Sequence, residues 1–257
     1  MDILDKFIEQ ARENVKSGYY VLPGRTPTRK TPVSLRRRLA DNSFTLIAEI
    51  KHASPAGDYS FSGIDVEKTS SVFKEGGADA ISVVVEPKIF KGSLDNIPIA
   101  ARTGLPVLFK DFVICKAQIH AASYFGADCV LLIVKVADRM DLDLDALIDE
   151  AHSLGLEVLL ECYDEEEMRR AALTKADILG INNRDLKTLH VDLTRTSSIM
   201  QRAPANSGKP VISESGIKSR KDVDFVRKCG IKGILVGTAL WLAADQRAKI
   251  SELSLKD

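Results

Sequence analysis

The sequence predicts a (β/α)8 barrel, the TIM-barrel fold, with a helical N-terminal extension. Eight short apolar runs alternate with helical patterns from Phe44 onward, and the 257 residues approach the roughly 250 that are typical of this fold. Seven of the eight runs end in charged, polar or glycine residues. Because charged side chains are rarely buried without a partner, their recurrence at the same end of successive strands predicts that these ends converge on one polar site.

The eight expected strands are rich in Val, Ile and Leu, which is typical of parallel strands that are buried on both faces. They lie near residues 45–51, 80–86, 106–110, 129–134, 157–162, 178–182, 210–214 and 234–237. A doubly wound open sheet is the alternative architecture, and the number of strands together with their charged ends favours the closed barrel. We expect residues 1–257 to form one barrel domain.

Residues 1–43 precede the first strand and form the N-terminal extension. Apolar residues recur at helical spacing over 3–17, and a second short helix is expected over 33–40. Further along the chain, Ser219 and Asp222 have the spacing of a capping box, with Asp in place of the usual Glu. This pair predicts that a helix begins there.

Composition excludes several kinds of partner. The chain has 36 Lys and Arg against 36 Asp and Glu, so no overall field attracts nucleic acid or an anionic membrane. No apolar run approaches the ~18 residues of a membrane span, and the basic stretch 25–38 is interpreted as a solvated segment or a substrate-facing loop. The cysteines form no C-x-x-C pair and the histidines lack metal-ligand spacing, so we expect no metal and a reduced, cytoplasmic location.

Four charged residues at strand ends are candidates for acid–base catalysis. Glu49 and Lys51 alternate with apolar neighbours, so both are expected to point into the barrel mouth; an ion pair that merely fills the mouth is the alternative. Lys110 closes the third strand and can act as a general acid if burial and the charge of Lys51 lower its pKa. The alternative interpretation of Lys110 is a surface lysine that pairs with Asp111. Glu161 ends the fifth strand between apolar walls, which raise a carboxyl pKa and suit proton transfer.

The loops after the other strands offer sites for an anion. Asn182 supplies a neutral donor and acceptor, and Arg184 offers a planar fork for a carboxylate or phosphate. Gly216 and Gly237 follow the seventh and eighth strands, where barrels frequently bind phosphate through backbone N–H groups. The small residues 54–57 form a loop that can lie close to a ligand. We therefore expect a phosphorylated small molecule as the partner.

Six segments together resemble the indole-3-glycerol phosphate synthase family, and they follow one another in the order of that family over residues 46–240. They are AEIKHASP at 48–55, KDF at 110–112, GAD at 126–128, GINNRDL at 180–186, SESGI at 213–217 and LVG at 235–237. No single segment is specific, whereas the combination of KDF, INNRDL and SESGI is. The extended N-terminal helix is also similar to that family.

The resemblance implies a reaction that needs no cofactor. The substrate would be 1-(2-carboxyphenylamino)-1-deoxyribulose 5-phosphate, which undergoes ring closure, decarboxylation and dehydration to indole-3-glycerol phosphate in tryptophan biosynthesis. Lys110 matches the general acid on the ketone oxygen, and Glu161 matches a carboxylate that assists proton transfer. Lys51 and Glu49 match residues of the later dehydration, and Asn182 matches a residue at the substrate hydroxyls.

The remaining matches complete the predicted site. Glu214 matches a further catalytic residue. The residues that match substrate-binding positions are Ser54, Phe90, Phe112, Arg184, Ser215, Gly216, Gly237 and Thr238. The resemblance assigns the two phenylalanines to an apolar wall for the aromatic ring and the glycines to the phosphate. Glu214 and Ser215 are expected together at the site. Whether the chain is a monomer or a homodimer stays open.

Two other functions are weighed against the synthase. Another phosphate-binding barrel enzyme, such as phosphoribosylanthranilate isomerase, would lack the set of Lys51, Lys110 and Glu161. A barrel that binds a phosphorylated ligand without catalysis needs none of these charges at its strand ends. An assay of turnover separates these two alternatives from the synthase.

Overall fold

The computed structural model describes residues 2–22, 24, 31–42, 44–55, 59–61, 63–202 and 208–255, and these contain a closed ring of eight parallel strands. The strands are β1 (Thr45–Ile50), β2 (Ala80–Val84), β3 (Val107–Lys110), β4 (Cys129–Ile133), β5 (Glu157–Cys162), β6 (Ile178–Asn182), β7 (Val211–Glu214) and β8 (Gly233–Val236). Each strand pairs with the next along the chain, and β8 pairs with β1. The prediction of a (β/α)8 barrel is therefore confirmed.

The helices alternate with the strands as expected. They are α1 (Ile3–Lys16), α2 (Leu35–Asp41), α3 (Val66–Glu75), α4 (Asn96–Ala101), α5 (Lys116–Phe125), α6 (Val134–Met140), α7 (Leu144–Ser153), α8 (Glu165–Leu173), α9 (Thr194–Arg202), α10 (Arg220–Lys228), α11 (Thr238–Trp241) and α12 (Gln246–Ser254). The predicted capping box of Ser219 and Asp222 begins α10. None of the helices in the described part of the chain is long and apolar enough to cross a membrane.

The strands are buried on both faces, which explains their uniformly apolar sequence. Closure of the ring pairs Leu46 with Ile234 and Ile47 with Leu235. Beyond β1 the chain forms a short antiparallel ladder, Ala53–Ser54 with Tyr59–Ser60. Residues 56 and 57 of the expected 54–57 loop, and the basic residues 25–30, lie outside the described residues.

The second strand is shorter than predicted, because it ends at Val84 rather than at Glu86. The carboxylate of Glu86 accepts the backbone N–H groups of residues 88–90 at 2.6 to 2.9 Å, and it also accepts the side-chain amide of Asn14 at 2.9 Å. These bonds satisfy a buried charge. Glu86 therefore shapes the turn after β2, which carries Phe90 towards the barrel mouth.

The N-terminal helix lies over the C-terminal ends of the strands. Its Phe7 packs among rings from the loops after β2 and β3, while Asn14 reaches Glu86. Just beyond the helix, the hydroxyl of Tyr20 donates to Asp111 at 2.5 Å. Burial raises the pKa of Asp111 to about 6, against the opposing effect of the Tyr20 hydrogen bond. The extension is thus bonded to the turns that carry the strand-end residues.

The second helix of the extension covers the opposite end of the barrel. The carboxylate of Glu157, at the start of β5, accepts the backbone N–H groups of Leu35 and Arg36 at 2.8 and 2.9 Å. An anionic group at a helix N-terminus is favourable because it satisfies unpaired N–H groups and complements the helix dipole. Leu39 is buried on the same helix. This helix thus lies over the N-terminal end of the barrel, opposite the strand ends that carry the predicted site residues.

Candidate active site

A cavity of about 1300 Å³ lies at the C-terminal ends of the strands. It brings together thirteen of the fourteen predicted site residues: Glu49, Lys51, Ser54, Phe90, Lys110, Phe112, Glu161, Asn182, Arg184, Ser215, Gly216, Gly237 and Thr238. They come from all parts of the chain, as expected if the strand ends converge. Only Glu214 of the predicted set does not line the cavity.

A buried carboxylate between two lysines forms the centre of the cavity floor. The Lys51 Nζ lies 3.0 Å from Oε1 of Glu49, and the Lys110 Nζ lies 3.0 Å from Oε2. Burial alone would raise the pKa of Glu49, but the two ammonium groups outweigh it and lower this pKa to about 2. Lys51 also donates to the Thr238 hydroxyl at 2.8 Å. Glu49 is therefore ionised at all ordinary pH values and fixes both lysines.

The expected lowering of the Lys110 pKa is wrong. Burial does oppose its charge, but the carboxylates of Glu49, Glu214 and Glu161 outweigh burial and raise this pKa. The alternative pairing with Asp111 is also wrong, since Asp111 accepts hydrogen bonds from Tyr20 and from the backbone of Phe112. Lys110 is thus a fully charged proton donor, whose proton is held by neighbouring anions.

Glu161 and Asn182 form a second polar pair on the adjacent strands. The Asn182 amide donates to Glu161 at 2.9 Å, and its oxygen accepts the backbone N–H of Arg184 at 2.9 Å. Burial raises the pKa of Glu161 against the charge of Lys110 and the Asn182 bond, which lower it. The direction agrees with the prediction. A carboxyl with a raised pKa can hold or accept a proton near neutral pH.

Arg184 leaves the end of β6 and lines the cavity. One of its terminal nitrogens donates to the carbonyl oxygen of Leu189 at 3.0 Å, which ties the side chain to its own loop. Burial lowers the pKa of this guanidinium, which stays cationic because its ordinary value is very high. Arg184 thus presents a partly desolvated, oriented cation to the cavity.

Glu214 lies beneath the cavity floor, and its position differs from the expected contact with a ligand. The residue is 1% exposed, and neither carboxyl oxygen has a hydrogen-bond partner in the described structure. The nearest cation is the Lys110 Nζ, 3.8 Å from Oε2. Burial and then the charge of Glu161 raise the pKa of Glu214 to about 8, against the effect of Lys110. The recorded ion pair of Glu214 is thus with Lys110, and Glu214 does not line the cavity.

Three aromatic rings form an apolar wall on the other side of the cavity. Phe7 lies 4.7 Å from Phe112 and 5.7 Å from Phe90 between ring centroids, and the latter two are 6.2 Å apart. Sequence reasoning identified Phe90 and Phe112 but missed Phe7. The helical spacing of the extension marked Phe7 as buried, yet nothing in the sequence indicates which surface α1 covers.

The loop after β7 depends on a residue that sequence reasoning did not single out. The buried amide of Asn183 donates to the Ser213 hydroxyl and to the carbonyl oxygens of Glu214 and Ser215, at 2.9, 2.9 and 3.1 Å. Ser215 has a φ of 67°, a left-handed conformation that costs energy for a residue with a side chain. The bonds of Asn183 stabilise this turn and so place Gly216 at the cavity.

The two predicted phosphate-loop glycines both line the cavity, and each also relieves a steric conflict. Gly216 has a φ of +85°, and a Cβ there would overlap the Val191 side chain. A Cβ on Gly237 would overlap the Glu49 carboxylate and approach the Lys51 Nζ to 3.0 Å. The glycine after β8 therefore leaves room for the central ion pair.

Comparison with known proteins identifies the family. The family model of indole-3-glycerol phosphate synthase matches residues 4–253. The indole-3-glycerol phosphate synthase of Bacillus cereus is 40% identical over 246 residues, which cover 93% of this chain and 92% of that protein. The enzyme of the same name from Petrotoga mobilis is 33% identical over 254 residues, with 97% and 96% coverage.

Similarity to solved structures extends to the fold alone. The N-acetylmannosamine-6-phosphate 2-epimerase of Clostridium perfringens matches with a TM-score of 0.58 at 15% identity, over 82% of this chain and 93% of that one. At such low identity the match shows a shared barrel and nothing about chemistry. The family match over residues 4–253, with relatives that are 33% and 40% identical over more than nine-tenths of each chain, leads to one conclusion: the chain belongs to the indole-3-glycerol phosphate synthase family.

Proposed function

We propose that this protein converts 1-(2-carboxyphenylamino)-1-deoxyribulose 5-phosphate into indole-3-glycerol phosphate. The observation that carries the proposal is the presence of a charged Lys110 and a buried Glu161 with a raised pKa in the same cavity. The reaction needs a donor to an oxygen and a carboxyl that exchanges protons. Family membership supports the same activity.

Binding would place the ends of the substrate on different parts of the cavity. The phosphate would lie at the backbone N–H groups of Gly216 and Gly237, with Lys51 and Thr238 nearby. The phenyl ring would lie against the aromatic wall that Phe7 completes. Ser54 and Arg184 would face the carboxylate of the anthranilate part. This division follows the polar and apolar halves of the cavity.

The first chemical step would form a carbon–carbon bond. The ring carbon that bears the carboxylate attacks the ketone carbon, while Lys110 gives its proton to the ketone oxygen, which becomes a hydroxyl. Loss of carbon dioxide then returns the electron pair of the broken bond to the ring and removes its positive charge. Glu161 would stabilise that cationic intermediate. Positioning of the reacting groups lowers the activation barrier. Proton transfer by a well-placed side chain typically raises the rate by about 10²–10⁴-fold.

Dehydration would complete the indole. The new hydroxyl leaves as water after it takes a proton, and the neighbouring carbon of the former sugar loses a proton to form the double bond. We assign this step to Lys51 and Glu49, with Asn182 orienting the sugar hydroxyls. The steps balance overall, since one substrate yields indole-3-glycerol phosphate, carbon dioxide and water.

The remaining properties follow from this activity. A biosynthetic enzyme with a phosphorylated small-molecule substrate is expected in the cytoplasm, as one barrel domain with an N-terminal extension. We propose a monomer and keep a homodimer as the alternative. Light scattering after gel filtration distinguishes a mass near 28.2 kDa from twice that value.

The assay that tests the function follows indole fluorescence after the protein is mixed with the anilino-deoxyribulose phosphate. Rapid, catalytic appearance of the indole supports the synthase. Isomerisation of phosphoribosylanthranilate with no indole formation would instead identify the related isomerase. Tight binding of the substrate without turnover would identify a ligand-binding barrel.

Phe7→Ala should raise KM at least about tenfold, since a buried aromatic side chain contributes about 1.5–3 kcal/mol of apolar contact. We expect kcat to change less, because the ring contacts of Phe7 are with the apolar wall and not with the charged floor. Steady-state kinetics measure both values. Phe225→Ala on the outer helix α10, where the ring is 39% exposed, is the matched control. An unchanged KM in Phe7→Ala would remove Phe7 from the ligand site.

Glu161→Gln should lower kcat by about 10²-fold, as is typical for the loss of a group that transfers protons. Glutamine preserves the shape and can still bond to Asn182, so KM and the unfolding midpoint should change little. Glu166→Gln on the same βα unit is the control, since that side chain is exposed. Equal kcat values for the two variants would contradict the role of Glu161.

A further inference from the structure

Gly180, in the middle of β6, has no role in the chemistry described above. Its backbone does not require glycine, because its φ is outside the left-handed region. A side chain at this position would nevertheless overlap one atom strongly, namely Oε1 of Glu214. The next nearest atom is Cδ1 of Leu159, at 3.3 Å. The space beside Gly180 is thus occupied by the carboxyl group of Glu214.

The carboxyl group of Glu214 has an unusual environment. It is 1% exposed, it accepts no hydrogen bond within the described structure, and the Lys110 Nζ lies 3.8 Å away. No hydrogen bond from the described residues fixes this group, and its ion pair with Lys110 is long. Its place is therefore defined by shape, and Gly180 is the part of that shape that a single methyl group would fill.

We propose that Gly180 is a positioning residue of the reaction: by lacking a side chain, it keeps the Glu214 carboxyl beneath the cavity floor and beside the ammonium of Lys110. The proposal rests on the proposed function in one respect, namely that Lys110 is the acid. Gly180 acts through Glu214, and Glu214 acts through Lys110, which alone of the three touches the substrate.

The molecule contains the same arrangement a second time. Gly237 follows β8, and a Cβ there would overlap a carboxyl oxygen of Glu49, the other acidic neighbour of Lys110. Gly92 provides the contrast, because a Cβ there would strike the backbone carbonyl of Val84. A shift of the backbone costs much more than a shift of a side-chain end, so a Cβ at Gly92 would disturb the fold, whereas the end of a glutamate side chain can swing away.

Gly180→Ala is therefore expected to fold and to displace the carboxyl group. Misplacement of groups near a reacting centre by about 1 Å can reduce the rate by about 10²-fold. We expect kcat to fall by about 10- to 100-fold, with KM changed by less than about threefold because Glu214 does not line the cavity.

A double-mutant cycle distinguishes positioning from simple overpacking. In a Glu214→Ala background there is no carboxyl to displace, so adding Gly180→Ala should change kcat by less than about twofold. In a Leu159→Ala background the full loss from Gly180→Ala should persist. The proposal is overturned if the loss persists without Glu214, or if it disappears when Leu159 is truncated.

The pH profile gives a second readout that a purely structural glycine would not affect. The charged groups that face Glu214 are Lys110 on β3, Glu161 on β5 and Glu49 on β1. A carboxyl pushed out of its buried place is better solvated, so its pKa falls. Ionisation of Glu214 should appear as a step in the dependence of kcat on pH, and this step should be missing in Glu214→Ala. In Gly180→Ala the same step should therefore lie at lower pH. An unmoved profile would count against the proposal.

Thermal unfolding tests the geometry independently of the activity. Gly180→Ala should lower the melting temperature by about 2 °C or more in the wild-type background and leave it equal or higher in the Glu214→Ala background. If wild type makes no indole product, the proposed function fails, while this cycle still decides whether Gly180 accommodates Glu214. Equal shifts in both backgrounds would refute the steric relation itself.

Discussion

Lys110→Met should lower kcat by about 10³-fold, within the range of about 10²–10⁴ for the loss of a general acid. Methionine replaces the length and apolar stem of the side chain but offers no proton to the ketone oxygen. The fold should survive, because Glu49 keeps its contact with Lys51 at 3.0 Å. Glu161, which loses a neighbouring cation, can take up a proton instead of remaining a buried unpaired anion, and the pKa of Glu214 is already raised to about 8.

Two measurements complete this experiment. Single-turnover kinetics with saturating enzyme show whether the loss lies in chemistry rather than in product release. The same substitution at Lys116, an exposed residue paired with Glu150 on α7, should leave kcat unchanged. A Lys110→Met variant with more than a tenth of wild-type kcat would show that another group protonates the ketone.

Glu214→Gln should stabilise the protein at alkaline pH while it impairs catalysis. The native pKa of Glu214 is about 8, against an ordinary value of 4.5 for the unfolded chain. Between these values the native state retains a proton that the unfolded chain has lost, so ionisation of Glu214 makes stability fall as the pH rises through this window. Glutamine cannot ionise, so the stability of the variant does not fall in this way as the pH rises.

The expected difference depends strongly on pH. At pH 5 the wild type and Glu214→Gln should unfold at similar urea concentrations, because the glutamate is then protonated and nearly the same shape. At pH 9 the variant should be more stable by on the order of 2–4 kcal/mol. Glu67→Gln, at an exposed position on α3, should parallel the wild type throughout. The same gain at both pH values would show that Glu214 does not titrate abnormally.

The barrel could be predicted from the sequence because its signals are local. Each strand is a short apolar run, and each run ends in residues that cannot be buried singly, so both the ring of strands and the meeting of their ends followed. The strand over 80–86 was overestimated, since Glu86 is buried by bonds to the turn that follows it and to Asn14. The sequence alone does not distinguish a buried glutamate with hydrogen-bond partners from an exposed glutamate.

The parts of the site that escaped prediction depend on distances across the barrel. The pKa of Lys110 follows from how many carboxylates surround it, and these come from three other strands. The place of Phe7 depends on where α1 docks, and the positions of Glu214 and Gly180 depend on which side chain fills a shared space. Motif resemblance located most of the residues, but it carried no information on which of them lie beneath the floor.

The hydrogen bond from Lys51 to Thr238 joins residues 187 positions apart, and the indole of Trp241 reaches the backbone of Glu49 across 192. A nascent chain still on the ribosome can therefore hold Lys110 and Glu161 and yet have no final strand to pair with its first. The ring and the cavity are therefore incomplete until β8 and the residues that follow it have been made. Contacts of such long sequence separation are slow to form. Removal of residues 238–257 would take the Thr238 hydroxyl away from Lys51 and leave Glu49 as its partner.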